Sequence, residues 1–185
     1  MAANEDIEKV VRERFGESVT GSTPFRGELT VGVGRDAIHD VCVFLRDAQE
    51  LQFDFLADLT AVDYLNMDRS PRFDVVYHLL SLKHGHRLRL KVAVPEDHPH
   101  IASVVGIWPA ADWYERETYD MFGIVFDGHP DLTRIMMPDD WQGHPLRKDF
   151  PVGGARSFYF KRDTQPHAGE PPGLVPRIRV SDSDV

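Results

Sequence analysis

Hydrophobic and polar positions along the first part of the chain alternate between two periods. Ile7, Val10, Val11 and Phe15 fall on one face of a helix that Gly16 stops. Strand-like material follows up to Gly34, with Leu29, Val31 and Val33 in alternation. Ala37, Ile38, Val41, Cys42 and Leu45 then form the apolar stripe of a second helix, with Asp36 as its expected cap. Three β-rich runs come next, Phe53–Tyr64, Arg72–Leu82 and His86–Val94. The polar turn Asn66–Pro71 separates the first two, and Lys83-His84-Gly85 is short enough to close a hairpin before the third. In that third run Leu88, Leu90 and Val92 alternate with Arg87, Arg89 and Lys91, so one face is core and the other wet, as an antiparallel sheet permits. After Pro95 the pattern predicts a helix burying Ile101, Val104 and Val105. Another helix is expected from Trp108-Pro109 to a left-handed stop at Gly123.

From Phe126 onward the texture changes to Gly, Pro, His and charge without a long period, which does not suit the interior of a compact domain. The expected organisation is therefore an α+β domain over residues 1–125 and an extended C-terminal arm over 126–185. The domain reads as two layers, a mixed or mostly antiparallel sheet packed against helices. Residues 149–185 offer few apolar groups beyond Phe150, Val152, Phe158, Tyr159 and Phe160. Ordering a residue costs ~1–2 kcal/mol of backbone entropy, so the segment is expected to stay mobile until a partner offsets that cost. Phe158, Tyr159 and Phe160 would then serve as anchors, and Arg147 and Lys148 as donors to a partner's carboxylates.

Composition narrows the function. Of 185 residues 42% are hydrophobic, and no apolar run approaches the ~20 residues that span a bilayer. The N-terminus is acidic where a signal peptide would be basic. These features predict a cytoplasmic protein, or one attached to a membrane through a partner. The single cysteine, Cys42, excludes an internal disulfide, a multi-cysteine zinc site and a four-cysteine iron–sulfur cluster held by this chain alone. A formal net charge of -9 disfavours nucleic acid, whose binding rests on clustered Lys and Arg.

Several groupings invite a chemical reading. Gly32-Val-Gly34-Arg-Asp-Ala37 matches a dinucleotide-binding variant, but the preceding strand alternates, Asp36 would face the phosphates, and the following strands read as hairpins. A turn and helix cap is the preferred reading. The pairs His84/His86 and His98/His100 lack a third ligand at helical spacing, so they read as exposed turn histidines. Arg87, Arg89 and Lys91 suit a solvated sheet face. The informative block is Glu115–Ile135. On a helix Arg116 lies four residues from both Asp112 and Asp120 and is expected to pair with them. Glu117 shares a face with Trp113 and Met121, where a carboxylate needs a partner. A general acid, a metal ligand and an interface anchor all remain open for it.

Glu115-Arg116-Glu117, Asp120, Gly123, Gly128-His129-Pro130, Leu132 and Arg134-Ile135, followed by Gly143-His144-Pro-Leu-Arg147-Lys148-Asp-Phe-Pro151, resemble the signature of the 30 kDa-type subunit family. In respiratory complex I, the proton-translocating NADH:quinone oxidoreductase, that family supplies the C subunit. The likeness is strong over residues 110–153 and looser upstream. Thr133 departs from it, since the family usually carries a basic residue or proline there. The resemblance implies a cofactor-free peripheral-arm subunit with no catalytic residue of its own, in which Glu115, Arg116, Glu117, Asp120, His129, Arg134, His144, Arg147 and Lys148 bind partners. It implies the 49 kDa-type quinone-site subunit (the D subunit) as the partner of the arm. NADH, flavin, iron–sulfur clusters and quinone would bind other members of the complex, on the cytoplasmic side of the cell membrane. The alternative is an equivalent subunit of a membrane-bound hydrogenase or other quinone-linked complex, or a free-standing interaction domain.

Overall fold

The computed structural model describes residues 4–151. Residues 152–185 of the expected arm, with its anchors Phe158, Tyr159 and Phe160, lie outside this range. The amphipathic first segment forms α1, Asn4–Phe15, with Ile7 and Val11 buried. Two strands follow, β1 (Val19–Phe25) and β2 (Glu28–Val33). Helix α2 spans Ile38–Asp47 and buries Ile38, Val41, Cys42 and Leu45. Asp36 does not cap it. A single 3-10 turn, Arg35–Ala37, leads into the helix, and the first turn is closed by the backbone bond from Ala37 N–H to Gly34 O, 3.0 Å.

The three β-rich runs become β3 (Phe55–Asp63), β4 (Phe73–Leu80) and β5 (Arg87–Val94). With β1 and β2 they make a five-stranded sheet in the order β1-β2-β5-β4-β3. Only β2 and β5 pair in parallel; the other pairings are antiparallel, so the sheet is mixed. Leu29, Val31 and Val33 lie in the same hydrophobic core as Leu88, Leu90, Val92, Phe73, Val75, Tyr77 and Leu79 and the buried stripes of the helices. Alternation along β5 leaves Arg89 and Lys91 half-buried on the opposite face, the two-layer arrangement that one-sided burial dictates.

Two readings of the second half need correction. Residues 100–105 do not form a helix. His100–Ala102 is a short strand, β6, paired in parallel with β7, Val125–Asp127. Ile101 and Val104 are buried there all the same, because a short strand and a helix turn can both present them to the core. The first compact unit also runs to Phe150, beyond the boundary read after residue 125. Phe126 is a core residue, 2% exposed. His86 is likewise buried, not exposed, and burial lowers its pKa.

Helix α3, Ala111–Phe122, ends at Gly123, whose φ of 75° permits the left-handed cap. Its N–H donates to Tyr119 O at 2.8 Å. The position has a second constraint, because a Cβ there would collide with the His144 ring and the Arg147 guanidinium. Gly123→Ala is therefore expected to destabilise the domain by more than the ~1–2 kcal/mol of left-handed strain alone. Chemical denaturation checks this, and a loss below that strain would mean the segment near His144 shifts freely.

Candidate functional site: a charged strap closing the domain

The block that carries the family signature folds back on α3 and on the end of the sheet. Asp120, in the last turn of α3, is fully buried. Its carboxylate accepts the Arg134 guanidinium and the backbone N–H groups of Ile135 (3.2 Å), Met136 (2.8 Å) and Met137 (2.8 Å). Burial alone would raise its pKa; these donors outweigh it and lower the carboxyl below its ordinary value. The Asp120 carbonyl accepts Nδ1–H of His144 at 3.0 Å, and Arg134 also donates to Gly143 O at 3.1 Å. Leu146 N–H donates to Met121 O, and Arg147 to Phe122 O. Burial holds the pKa of His144 below its usual value. Residues 134–147 are thus tied to the C-terminal end of α3 largely through main-chain groups.

The strap is then fastened to the sheet. Arg72, which precedes β4, makes five hydrogen bonds: two to Asp63 (2.9 and 2.7 Å), two to Asp149 (3.1 and 2.7 Å) and one to Glu96. A guanidinium carries five N–H groups, so its donors are all used. Asp63 at the end of β3 also accepts N–H from Leu65 and Lys148, each at 2.9 Å. Burial pushes the Asp63 carboxyl up, but the Arg72 pair and these two N–H groups together bring it down to about 2. Asp63 and Asp149 in turn keep Arg72 protonated against the effect of burial. The buried ring of Phe73 lies against both cations, 4.9 Å from Arg72 and 5.2 Å from Arg147.

A separate polar contact sits under α3. Glu115 is fully buried and accepts Ser103 Oγ–H at 2.6 Å and Val104 N–H at 2.7 Å, which pins the chain after β6 to the helix. Desolvation raises its pKa to about 7 despite those bonds. Cys42 and Tyr77 are also buried and raised by desolvation, with Glu115 adding to both.

The expected site residues thus divide. Glu115, Asp120, Arg134, His144, Arg147 and the Lys148 backbone all bond within the domain. His129 does so as well, donating from Nε2 to Asp112 and accepting Asp131 N–H at Nδ1. Arg116 does not pair with Asp112 or Asp120. It donates to Thr133 O at 3.2 Å and Thr133 Oγ1 at 3.0 Å, at the position where the signature departs. Glu117 is exposed and Trp113 is 63% exposed, because the core face of α3 runs through Ala111, Glu115, Thr118 and Phe122. Asp63, Arg72 and Glu96 were missed. Asp63 and Arg72 flank the β3–β4 turn, while Glu96 follows β5 and Asp149 lies on the strap, so the sheet is what brings all four together. The polar residues flanking each strand end were the available signal.

A cleft of about 600 Å³ borders this network, lined by residues that include Tyr64, Arg69, Arg72, Glu96 and Asp97. Among the described residues no group of three or more His, Cys, Asp or Glu is placed to hold a metal ion. No described helix is long and apolar enough to cross a membrane.

Fold and site together define a two-layer α+β domain with a mixed five-stranded sheet, closed at one end by a charge-bonded C-terminal strap. Residues 31–156 match the family described as respiratory-chain NADH dehydrogenase, 30 Kd subunit, and the chain belongs to that family. The C subunit of NADH-quinone oxidoreductase from Roseiflexus sp. (strain RS-1) is 50% identical over 161 residues, covering 86% of this chain and 91% of the relative. The same subunit from Citrifermentans bemidjiense is 47% identical over 169 residues, covering 91% and 98%. A solved trypsin-resistant fragment (1-134) of Nqo5 superposes with a TM-score of 0.59 at 36% identity, covering 68% of this chain and 98% of the fragment. A chain of an archaeal membrane-bound sulfane sulfur reductase superposes with a TM-score of 0.68 at 28% identity, covering 94% and 98%.

Two pH effects of opposite sign follow. Glu115 has a folded pKa raised from 4.5 to about 7, so its contribution is complete below 4.5 and is lost as pH rises through 7, ~3 kcal/mol in all. Asp63 is lowered from 3.8 to about 2, so its contribution is present above 3.8 and is lost as pH falls through 2. Glu115→Gln is expected to remove the decline between about pH 4.5 and 8 seen in wild-type unfolding free energies. Parallel pH profiles for the two proteins would show that Glu115 titrates normally. Asp63→Asn should cost ~3–5 kcal/mol, since it leaves a buried guanidinium short of a partner. Hydrogen exchange should then quicken at the Lys148 amide, and an unchanged rate there would mean that the strap is held elsewhere.

Proposed function

We propose that this chain is a cofactor-free structural member of a proton-translocating NADH:quinone oxidoreductase, the C subunit of that complex. It holds the 49 kDa-type quinone-site subunit together with other parts of the peripheral arm on the cytoplasmic side of the cell membrane. NADH, flavin, iron–sulfur clusters and quinone bind its partners, and this chain supplies a rigid platform and the segment that follows Phe150. The observation that carries the reading is the use of the signature residues. Asp120, Arg134, His144 and Arg147 are bonded within the domain, where they shape a surface and do not converge on a reacting atom. Relatives named as this subunit of NADH-quinone oxidoreductase, about half identical over most of their length, favour the respiratory enzyme. The likeness to a chain of a sulfane sulfur reductase supports a second reading, the equivalent subunit of another membrane-bound respiratory complex.

Purification of the tagged chain from its host's membranes tests the proposal. A co-purifying complex that oxidises NADH with quinone is expected, and a complex lacking NADH oxidation would favour the second reading. The chain alone should show no stoichiometric visible chromophore and no NADH turnover; either would overturn the cofactor-free assignment. Truncation after Pro151 should leave a folded domain, in keeping with the trypsin-resistant fragment of Nqo5, but one that no longer remains in the complex. Retention of the truncated chain at wild-type level would remove the arm from the binding role.

A further inference from the structure

One face of α3 has the features of a contact surface, and the exposed side chains there, Trp113 and the neighbouring Met136, take no part in closing the domain. Trp113 is 63% exposed on a helix whose other side is core. Its indole is held in place: the Arg116 guanidinium lies 5.4 Å from the ring centroid, and that guanidinium is itself fixed by two hydrogen bonds to Thr133. Met136 is 58% exposed, positioned by its N–H bond to Asp120, one helical turn beyond Arg116. Tryptophan, arginine and methionine are residue types enriched at protein interfaces. An aromatic already fixed in place loses little freedom on binding.

The charges around this face identify what it fits. Glu117, one turn from Trp113, is exposed, as is Asp131, whose loop is tied to Asp112 through His129. Arg116 is the cation among these side chains; two of its five N–H groups serve Thr133, and it stands against three carboxylates, Asp112, Glu117 and Asp131. The rim of the indole therefore carries more acid than base, and its complement is a basic one.

We propose that this face of α3 docks another protein of the same complex, with Trp113 entering an apolar pocket bordered by lysine or arginine. The inference rests on the proposed role within that complex, and it assigns to the folded domain a contact separate from the segment beyond Pro151. Removing Trp113 takes nothing from the core, so the fold tolerates its loss while the assembly does not.

The test uses complex stripped of this chain and rebuilt with the full-length protein. Trp113→Ala is expected to keep the wild-type thermal midpoint alone and to rejoin the complex at least about tenfold more weakly. Glu117→Lys is expected to weaken rejoining further as salt is lowered, the reverse of the wild-type trend. A photo-crosslinking benzoylphenylalanine at position 113 should join the chain to one other protein of the complex at a peptide rich in Lys or Arg. Wild-type affinity for Trp113→Ala overturns the proposal, as does a crosslink between two copies of this chain. If the wild-type chain itself fails to rejoin, the proposed role in the complex falls, an outcome distinct from a variant that rejoins normally.

Discussion

The guanidinium of Arg72 is the point on which one end of this molecule depends. It stands where β3, β4, the chain after β5 and the C-terminal strap meet, and its neighbours send it a carboxylate or a supporting donor. A buried cation with an empty donor would cost several kcal/mol, so the network stabilises the fold only because every N–H finds an acceptor. Three carboxylates around one arginine leave local excess negative charge. The Lys148 amide relieves part of it at Asp63, and Arg147 approaches through the shared ring of Phe73. The strap is therefore a condition of the sheet's end being stable as much as an addition to it.

At the other side of α3 the same economy appears with different groups. Asp120 and Glu115 are both fully buried, yet their pKa values move in opposite directions. Asp120 meets three backbone N–H groups and a guanidinium, enough to stay ionised. Glu115 meets one N–H and one hydroxyl, which are too few to offset desolvation. Stronger desolvation and fewer donors favour the neutral form of Glu115, while three amides and a cation favour the charged form of Asp120. Helix α3 is thereby anchored at its end by a charge and in its middle by a group poised between charge states.

The sheet and the three helices could be read from hydrophobic periodicity because each extends over many residues of one pattern. The three-residue strands β6 and β7 could not, since a period of two needs more than one repeat to show. Their pairing joins residues on either side of α3. The face of α3 was misread for a related reason. Its core stripe contains Glu115 and Thr118, while Trp113 points outward, so hydrophobicity alone placed Glu117 in the wrong row. The signature block was recognisable as a motif, and its role became visible only with Asp63, Arg72 and Glu96, which the chain leaves far from Lys148 and Asp149. Residue identity located the strap's own half of the network; the fold supplied the other half.

The main-chain character of the Asp120 contact has a consequence for how this protein can change. Asp120 recognises positions 135–137 by their amides, and amides are nearly indifferent to the side chain they carry. As far as those bonds go only proline, which has no N–H, is barred, and of the three side chains Met136 is the exposed one, while Met137 packs on the core. Substitution at position 136 can therefore alter the outward side chain without touching the bond that holds the loop. In lineages that build the same fold into different assemblies, the loop becomes a place where surface chemistry can diverge while the architecture beneath it stays fixed.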